Sequence, residues 1–425
     1  MNNSGKKDFR SHPCFNADAK GKFGRVHLPV APKCNIKCNF CDRKYDCVNE
    51  SRPGVTSTVL TPEQAGVYMQ KVLDKEPRIS VAGIAGPGDP FANGPETIAT
   101  MRTIRRNHPE TLLCVSSNGL AIGPYIDALA EIEVSHVTIT VCAVDPEIGQ
   151  KIYSWVKDGK VIYRGRQAAE LLLFRQLAAI KKLKAHDITI KVNCIVIPGV
   201  NDQHVEEVAR TMKDLGVDLL NCMAMFPNVN TPFANIPQPD TKMMEQLRSK
   251  AEEYLPQMRH CTRCRADAVG LLGDDRTDEF RSCLTACSTL QPMPVEQRPY
   301  VAVATEEGIL INQHLGEARS FEIWERVEGS FRKVEDRRGP AVGGGMKRWH
   351  QLARILGDCR AVLVSGVGQT PFDILSKAGV KPVEAAGFIE EGLKTVYENK
   401  KTSFLRGRRN PCADGSCTGS GGGCG

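Results

Sequence analysis

Four cysteines, Cys34, Cys38, Cys41 and Cys47, fall within the stretch PKCNIKCNFCDRKYDCVNE. Thiolates are soft ligands that suit zinc, copper(I) and iron–sulfur clusters. The C-x-x-x-C-x-x-C spacing of the first three admits three readings. Positions i, i+4 and i+7 share one face of a helix, although Pro32, Asn35 and Asn39 weaken that pattern. A structural zinc site takes four ligands, commonly in C-x-x-C knuckles, and this loop offers three at another spacing. Three thiolates on one loop also suit a four-iron cluster whose fourth iron stays open to a substrate.

More donors lie far away in the chain. SHPC carries His12 and Cys14, TLLCVSS carries Cys114 ahead of Asn118, and HCTRCRADAVG carries the C-x-x-C pair Cys261 and Cys264. The chain has 425 residues and 17 cysteines. The N-terminal MNNSGKKDFRSHPCF lacks the apolar stretch of a secretion signal. No run reaches the ~20 apolar residues of a membrane span. A cytoplasmic location with reduced thiols is therefore expected, and the cysteines ask for metal or redox chemistry rather than disulfides. With 41% hydrophobic and 25% charged residues the composition is that of a globular protein. The net charge of +7 is mild. Without interleaved basic and aromatic residues, neither nucleic acid nor membrane is an expected partner.

The elements that must position these donors alternate strand with helix. RVHLPVA, ISVAGIAG, TLLCVSS, SHVTITVCA, DITIKVNCIVI and VDLLNCMAM read as six strands. TPEQAGVYMQKVLDK, with Thr61, Pro62 and Glu63 at its start, reads as a helix, as do residues 96–107 and RQAAELLLFRQLAAIKKLKAH. Six βα units predict an α/β fold, a partial (βα)6 barrel, with functional residues at the C-terminal ends of its strands. The cysteine loop, AGPGDP (85–90), SSNG, AVDP and IPGVND all follow strands and would meet on one face. Cys114 is expected at the end of the third strand. After LQPMPVEQRPY a second unit begins, in which YVAVAT, GILINQHLG, FEIWERVEG, FRKVEDRR and RAVLVSGVG read as strands and MKRWHQLARILGD as a helix. The expected organisation is an N-terminal donor segment (1–24), the barrel with its C-terminal extension (25–290), a Pro-rich linker (291–298), a small α/β domain of ribonuclease H-like type (299–402) and a Gly- and Cys-rich tail (403–425).

Phe40 before the third cysteine, the C-x-x-x-C-x-x-C loop after a first barrel strand, and AGPGDP after the second resemble the radical S-adenosylmethionine (SAM) superfamily. His12–Cys14, TITVCAVDP and CTRCRADAVG narrow the resemblance to the NifB family of nitrogenase cofactor biosynthesis, over residues 12 to about 290. Cys142 stands where that family is expected to carry Asn, and it reads as a small buried thiol. HLGEARSFEIWE (314–325) makes the last hundred residues similar to the NifX/NafY-like cofactor-binding family.

The resemblance implies three four-iron clusters. Cys34, Cys38 and Cys41 would hold the one that cleaves SAM. His12, Cys14 and Cys114 are the candidates for a first substrate cluster, and Cys47, Cys261 and Cys264 for a second. SAM contacts are expected from Gly86, Pro87, Gly88, Asp89, Asn118, Asp145 and Ile195. The implied activity fuses the two substrate clusters and inserts a carbide derived from SAM, giving the eight-iron precursor of the iron–molybdenum cofactor. The implied partners are cluster donors, carrier and scaffold proteins of nitrogenase assembly, and an electron donor such as ferredoxin or flavodoxin. Two other readings compete: a different radical SAM enzyme with auxiliary clusters, and a cluster carrier without catalysis. Cys194, Cys222, Cys283, Cys287 and Cys359 read as packing residues, and His108 and His136 as surface or core. His314 is a possible contact for a cofactor in the second domain, and Cys412, Cys417 and Cys424 lie on the tail.

Overall fold

The computed structural model describes residues 11–47, 55–56, 58–290 and 298–398. The chain divides into two compact units between Leu290 and Gln291. In the first, six strands hydrogen-bond in sequence order, all parallel: β1 (Gly24–His27), β2 (Ile79–Ile84), β3 (Leu112–Ser117), β4 (His136–Thr140), β5 (Thr189–Val196) and β6 (Leu219–Ala224). Helices α1 (Pro62–Lys75), α2 (Gly94–Asn107), α3 (Ile126–Glu131), α4 (Pro146–Ile152), α5 (Gly165–Lys184) and α6 (Val205–Asp214) lie between strands, and α7 (Thr241–Glu252) and α8 (Thr277–Ser288) follow. This is the expected partial six-stranded barrel. Thr61 caps α1, and its partner in the reciprocal capping box is Gln64.

Side-chain alternation along the strands explains what the barrel buries where. Successive residues of a strand point to opposite faces. Val26, Val115, Val137, Ile190, Val192, Cys194, Leu220 and Cys222 join the apolar layer under the helices. Cys194 and Cys222 are thus core thiols, as read from sequence. The other face turns His27, Cys114, Ser116, Thr138, Lys191, Asn193 and Asn221 into the lumen. Cys287 on α8 is fully buried, as a packing residue should be.

Two features of this unit escape the sequence pattern. A short strand, β7 (Val269–Leu271), pairs antiparallel with β1 and carries β8 (Asp274–Asp275) on its outer edge. Three and two residues are too few for a period-2 signal. Second, Ile36–Cys38 is extended and pairs antiparallel with Tyr153–Asp158, which continues as a hairpin through Val161–Tyr163. That pairing rules out the helical reading of the cysteine spacing.

In the second unit, β9 (Tyr300–Val303), β10 (Ser320–Val327), β11 (Ser330–Arg338), β12 (Cys359–Val364) and β13 (Lys381–Glu384) form one sheet in the order β11-β10-β9-β12-β13. β10 runs antiparallel to β9, whereas β12 and β13 run parallel to it and to each other. Order and direction are those of a ribonuclease H-like sheet, flanked by α9 (Gly345–Ile355), α10 (Gln369–Lys377) and α11 (Ile389–Tyr397). Within GILINQHLG only Leu310–Ile311 is strand, paired with Gly387–Phe388. β13 was not expected; its Pro382 and charged ends hide an edge strand. Cys359 opens β12 and is buried. Residues 291–297 of the expected linker and the tail cysteines Cys412, Cys417 and Cys424 lie outside the described residues. Among the described residues no helix is long and apolar enough to cross a membrane.

Candidate functional site

The barrel holds two adjoining cavities. The first, of about 420 Å³, is lined by Cys34, Cys38, Cys41 and Cys47 together with Gly88, Asp89 and Asn118. Strand pairing fixes Cys38, a turn joins Cys41 N to Cys38 O at 3.1 Å, and Asn228 donates to Phe40 O at 2.9 Å. The AGPGDP loop straps the cysteine loop down. Gly88 N donates to Ala31 O at 2.6 Å, Asp89 N to Lys33 O at 2.8 Å, and Cys47 N to Pro87 O at 3.0 Å. A Cβ on residue 88 would lie 2.2 Å from Lys33 O, so this approach needs glycine. Asp89 is buried and accepts from Phe91 N, Ser117 Oγ and Asn118 N at 2.9, 3.0 and 2.7 Å. Its carboxylate therefore ties the loop after β2 to the end of β3. Asn118 Nδ2 donates to Asn35 Oδ1 at 2.7 Å and lies 3.9 Å from Cys34 Sγ.

Electrostatics identify these thiols as a group. Burial pushes Cys38 well above the usual thiol range, and Cys41, Cys47 and Cys34 push it further. Burial, then Asp89, raises Cys34 to about 11. Burial raises Cys41 against the opposing pull of Lys37 and Arg43. Thiols held neutral by burial can still ligate a metal that displaces their protons. Among the described residues, no three His, Cys, Asp or Glu side chains are close enough to share one metal ion. A cubane cluster takes each thiolate on a different iron, so it does not need its thiols to meet at one ion.

The second cavity, of about 550 Å³, is lined by His12, Cys14, Cys114, Cys261 and Cys264, facing Lys191, Asn193 and Asn221. His12 is buried, its ring 4.4 Å from that of His136 and 4.8 Å from that of Phe15. Burial, then His136 and Lys191, holds it well below the usual imidazole range, so the ring is held neutral, the form in which an imidazole can ligate metal. Cys14 N donates to His12 Nδ1 at 3.2 Å, and His12 Nε2 is buried without a partner among the described residues. That contact puts the ring proton on Nε2, so ligation through Nε2 requires the contact to open. Burial raises the Cys14 thiol, opposed by Lys191. Arg25 donates from Nε and Nη2 to Cys264 Sγ at 3.2 and 3.0 Å. His27 contacts Arg265 O at 2.8 Å and is held down to about 4 by burial and then by Arg25.

This placement changes two expectations. Cys114 sits in the middle of β3, not at its end, paired with Gly83 and His136. A Cβ at residue 83 would come within 2.9 Å of Cys114 Sγ, so Gly83 leaves room for the sulfur. Cys47 lies with the first trio, while Cys261 and Cys264 share the second cavity with His12, Cys14 and Cys114. The structure therefore does not assemble Cys47, Cys261 and Cys264 as a triad, although Cys261 also packs against the apolar surround of Cys38 and Phe40. Asp145 caps α4 by accepting from Glu147 N at 2.8 Å, and Ile195 is buried beside the cysteine loop. His136 is a core residue, as read, but one that backs His12. Arg25, His27 and Lys191 were missed. Their one signal is a charged or imidazole residue alternating with apolar neighbours inside a strand.

Comparison with known proteins decides the family. Residues 28–212 match the family model for the radical SAM superfamily. The chain is 51% identical over 421 residues to the FeMo cofactor biosynthesis protein NifB of Chlorobaculum tepidum, covering 98% of this chain and 99% of that protein. The chain belongs to the NifB family. The NifB of Klebsiella pneumoniae is 38% identical over 428 residues, covering 93% of this chain and 92% of that one. Residues 297–399 match the family described as dinitrogenase iron-molybdenum cofactor, in agreement with the NifX-like reading of the second unit. Among solved structures, SuiB of Streptococcus suis bound to S-adenosylmethionine aligns with a TM-score of 0.42 and 12% identity, over 56% of this chain and 50% of that one. That likeness is too low to carry an inference. A NifB-family chain is a radical SAM enzyme of iron–molybdenum cofactor biosynthesis, and the superfamily implies a four-iron cluster and SAM.

Proposed function

We propose that this chain fuses two four-iron clusters and inserts a carbon from SAM, making the eight-iron precursor of the nitrogenase cofactor. The observation that carries the reading is the second donor-lined cavity beside the thiol trio, within one barrel. Cys34, Cys38 and Cys41 would hold the resident cluster, which when bound would supply the electron for cleavage of SAM to methionine and a 5′-deoxyadenosyl radical. His12, Cys14, Cys114, Cys261, Cys264 and Cys47 are the donors for the two substrate clusters, bringing the total to three.

The chain's own residues bind and orient. The backbone of Gly86, Pro87 and Gly88 faces SAM, and Asp89 acts by holding that loop in place. Asn118, Asp145 and Ile195 complete the SAM surround. Neutral His12 takes part without adding negative charge to its cluster. Phe15, Met223 and Met258 line the second cavity and limit water. One SAM gives its methyl group to a cluster sulfide: the new C–S bond forms as the sulfonium C–S bond breaks, leaving S-adenosylhomocysteine. The radical from a second SAM takes a hydrogen atom from that methyl group and leaves as 5′-deoxyadenosine. The remaining two hydrogens depart as protons, the C–S bond to the cluster breaks as the carbon bonds to iron, and the electrons that carbide formation consumes come from the cluster irons and the reductant.

The second unit keeps or passes on the product. Cluster donors, cofactor carriers and a reductant such as ferredoxin or flavodoxin are the partners, in the cytoplasm. The test is anaerobic reconstitution followed by incubation with SAM and dithionite. About twelve irons per chain, three clusters of four, with both 5′-deoxyadenosine and S-adenosylhomocysteine formed, are expected. About four irons and a single SAM product would favour a different radical SAM enzyme.

A further inference from the structure

The two cavities share one lining residue that has chemistry to offer. The lumen face of β3 presents Cys114, then Ser116, and beyond the strand end Asn118. At about 3.3 Å per residue, these three side chains stand roughly 7 Å apart, like rungs from one site to the other. Cys114 lines only the second cavity and Asn118 only the first, whereas Ser116 lines both.

Ser116 Oγ is buried and has no hydrogen-bond partner among the described residues. Other serines in this barrel are satisfied: Ser117 Oγ donates to Asp89 at 3.0 Å, Ser135 Oγ to Leu113 O at 3.0 Å, and Ser80 Oγ to Ser11 O at 3.0 Å. A buried hydroxyl without a partner costs the free energy of a lost hydrogen bond, and a fold retains such a group when an occupant supplies the missing acceptor. Sulfides and thiolates accept hydrogen bonds and cannot donate them. A serine has one proton to give.

We infer that Ser116 is a substrate-binding residue: its hydroxyl donates a hydrogen bond to a sulfide of the iron–sulfur substrate in the second cavity. That bond turns one sulfide toward SAM and fixes the carbon it receives within reach of the radical. The assignment rests on the proposed function, in which carbon passes from SAM to that substrate.

The test uses the full-length protein, reconstituted anaerobically and given SAM with a trideuterated methyl group and dithionite. In the wild type, deuterium appears in 5′-deoxyadenosine, because the radical abstracts it from the transferred methyl. Ser116→Ala should keep its iron and its total 5′-deoxyadenosine within about twofold. Its deuterated fraction should fall about tenfold, the size of losing one hydrogen bond to a charged acceptor. The electron paramagnetic resonance of a substrate cluster should change while that of the SAM cluster does not. Before iron is added, Ser116→Ala should melt no lower than wild type, since the change removes an unsatisfied group; a purely structural serine would give a lower midpoint. If Ser116→Ala does not fold, the near-isosteric pair Ser116→Thr and Ser116→Val makes the same comparison, with the label retained only in Thr. An unchanged deuterated fraction overturns the assignment. So does a weaker affinity for SAM with labelling intact, because the hydroxyl would then serve SAM. Absence of deuterium transfer in the wild type itself would instead reject the proposed function, and this inference with it.

Discussion

The two cavities are built in opposite ways. The first draws its four thiols from residues 34–47 and is closed by one short loop, 86–89. The second collects His12, Cys14, Cys114, Cys261 and Cys264 from three separate parts of the chain. Their surroundings differ as well. The first has Asp89 acting on Cys34, and Lys37 and Arg43 acting on Cys41. The second has Arg25 on Cys264, and Lys191 close enough to act on His12 and Cys14. A site made by one loop can hold its cofactor as soon as that loop is folded. A site made by distant segments depends on assembly of the whole sheet.

The largest expected effect comes from breaking the local site. Replacing Cys34, Cys38 or Cys41 with Ala should remove both SAM products, a loss beyond the ~100-fold typical of outer-shell changes. Retention of S-adenosylhomocysteine would show that methyl transfer does not need SAM bound at this cluster. Next, Cys261→Ala with Cys264→Ala should lower iron by about four per chain and stop formation of the eight-iron product, while reductive SAM cleavage continues. Iron counting with product assay separates these outcomes, and loss of SAM cleavage at full iron content would mean the cavities are not separable.

A smaller effect sharpens the contrast through stability. Glu76, at the end of α1, is buried and accepts from Arg78 Nη2 at 2.6 Å and from Arg276 Nη1 at 2.7 Å, next to the β7–β8 extension. Arg78, with Arg276 assisting against burial, lowers its carboxyl from 4.5 to about 2. A depressed carboxyl stabilises the fold above its unfolded value and loses that contribution as pH falls from 4.5 toward 2. Arg78 is half exposed and screened, so the contribution is about 2 kcal/mol. Denaturant titrations should show wild type and Glu76→Gln separated by that amount at pH 7 and converging near pH 2. A constant gap would assign the effect to packing. The smallest change is expected from ending the chain near residue 292. The two units are compact separately, and such domains commonly fold alone. Iron content and SAM cleavage should then stay within about twofold of the full chain, with the defect confined to product retention. Loss of SAM cleavage from a folded, iron-loaded barrel would place part of the active site in the second unit.

By itself the sequence determined the barrel order, the thiol trio and the linking loops. Each is encoded within a few residues: alternating strand and helix patterns, one cysteine spacing, one Gly-Pro-Gly-Asp turn. It also carried the reading of Cys194 and Cys222 as core, because both fall on the apolar face of their strands. What it did not determine was grouping. Cys47 lies beside the trio, and Cys261 and Cys264 lie with His12, because the strand pairing of 36–38 and of β7 sets those positions. Nor was the depth of Cys114 legible: in LLCVSS a shift of two residues in the strand end moves a side chain from rim to lumen with no change in pattern. Arg25, His27, Lys191 and Ser116 have no mutual spacing to read. Only assembly of the parallel sheet brings them to one lumen, where a single-residue slip of register would have turned each of them outward into the apolar layer.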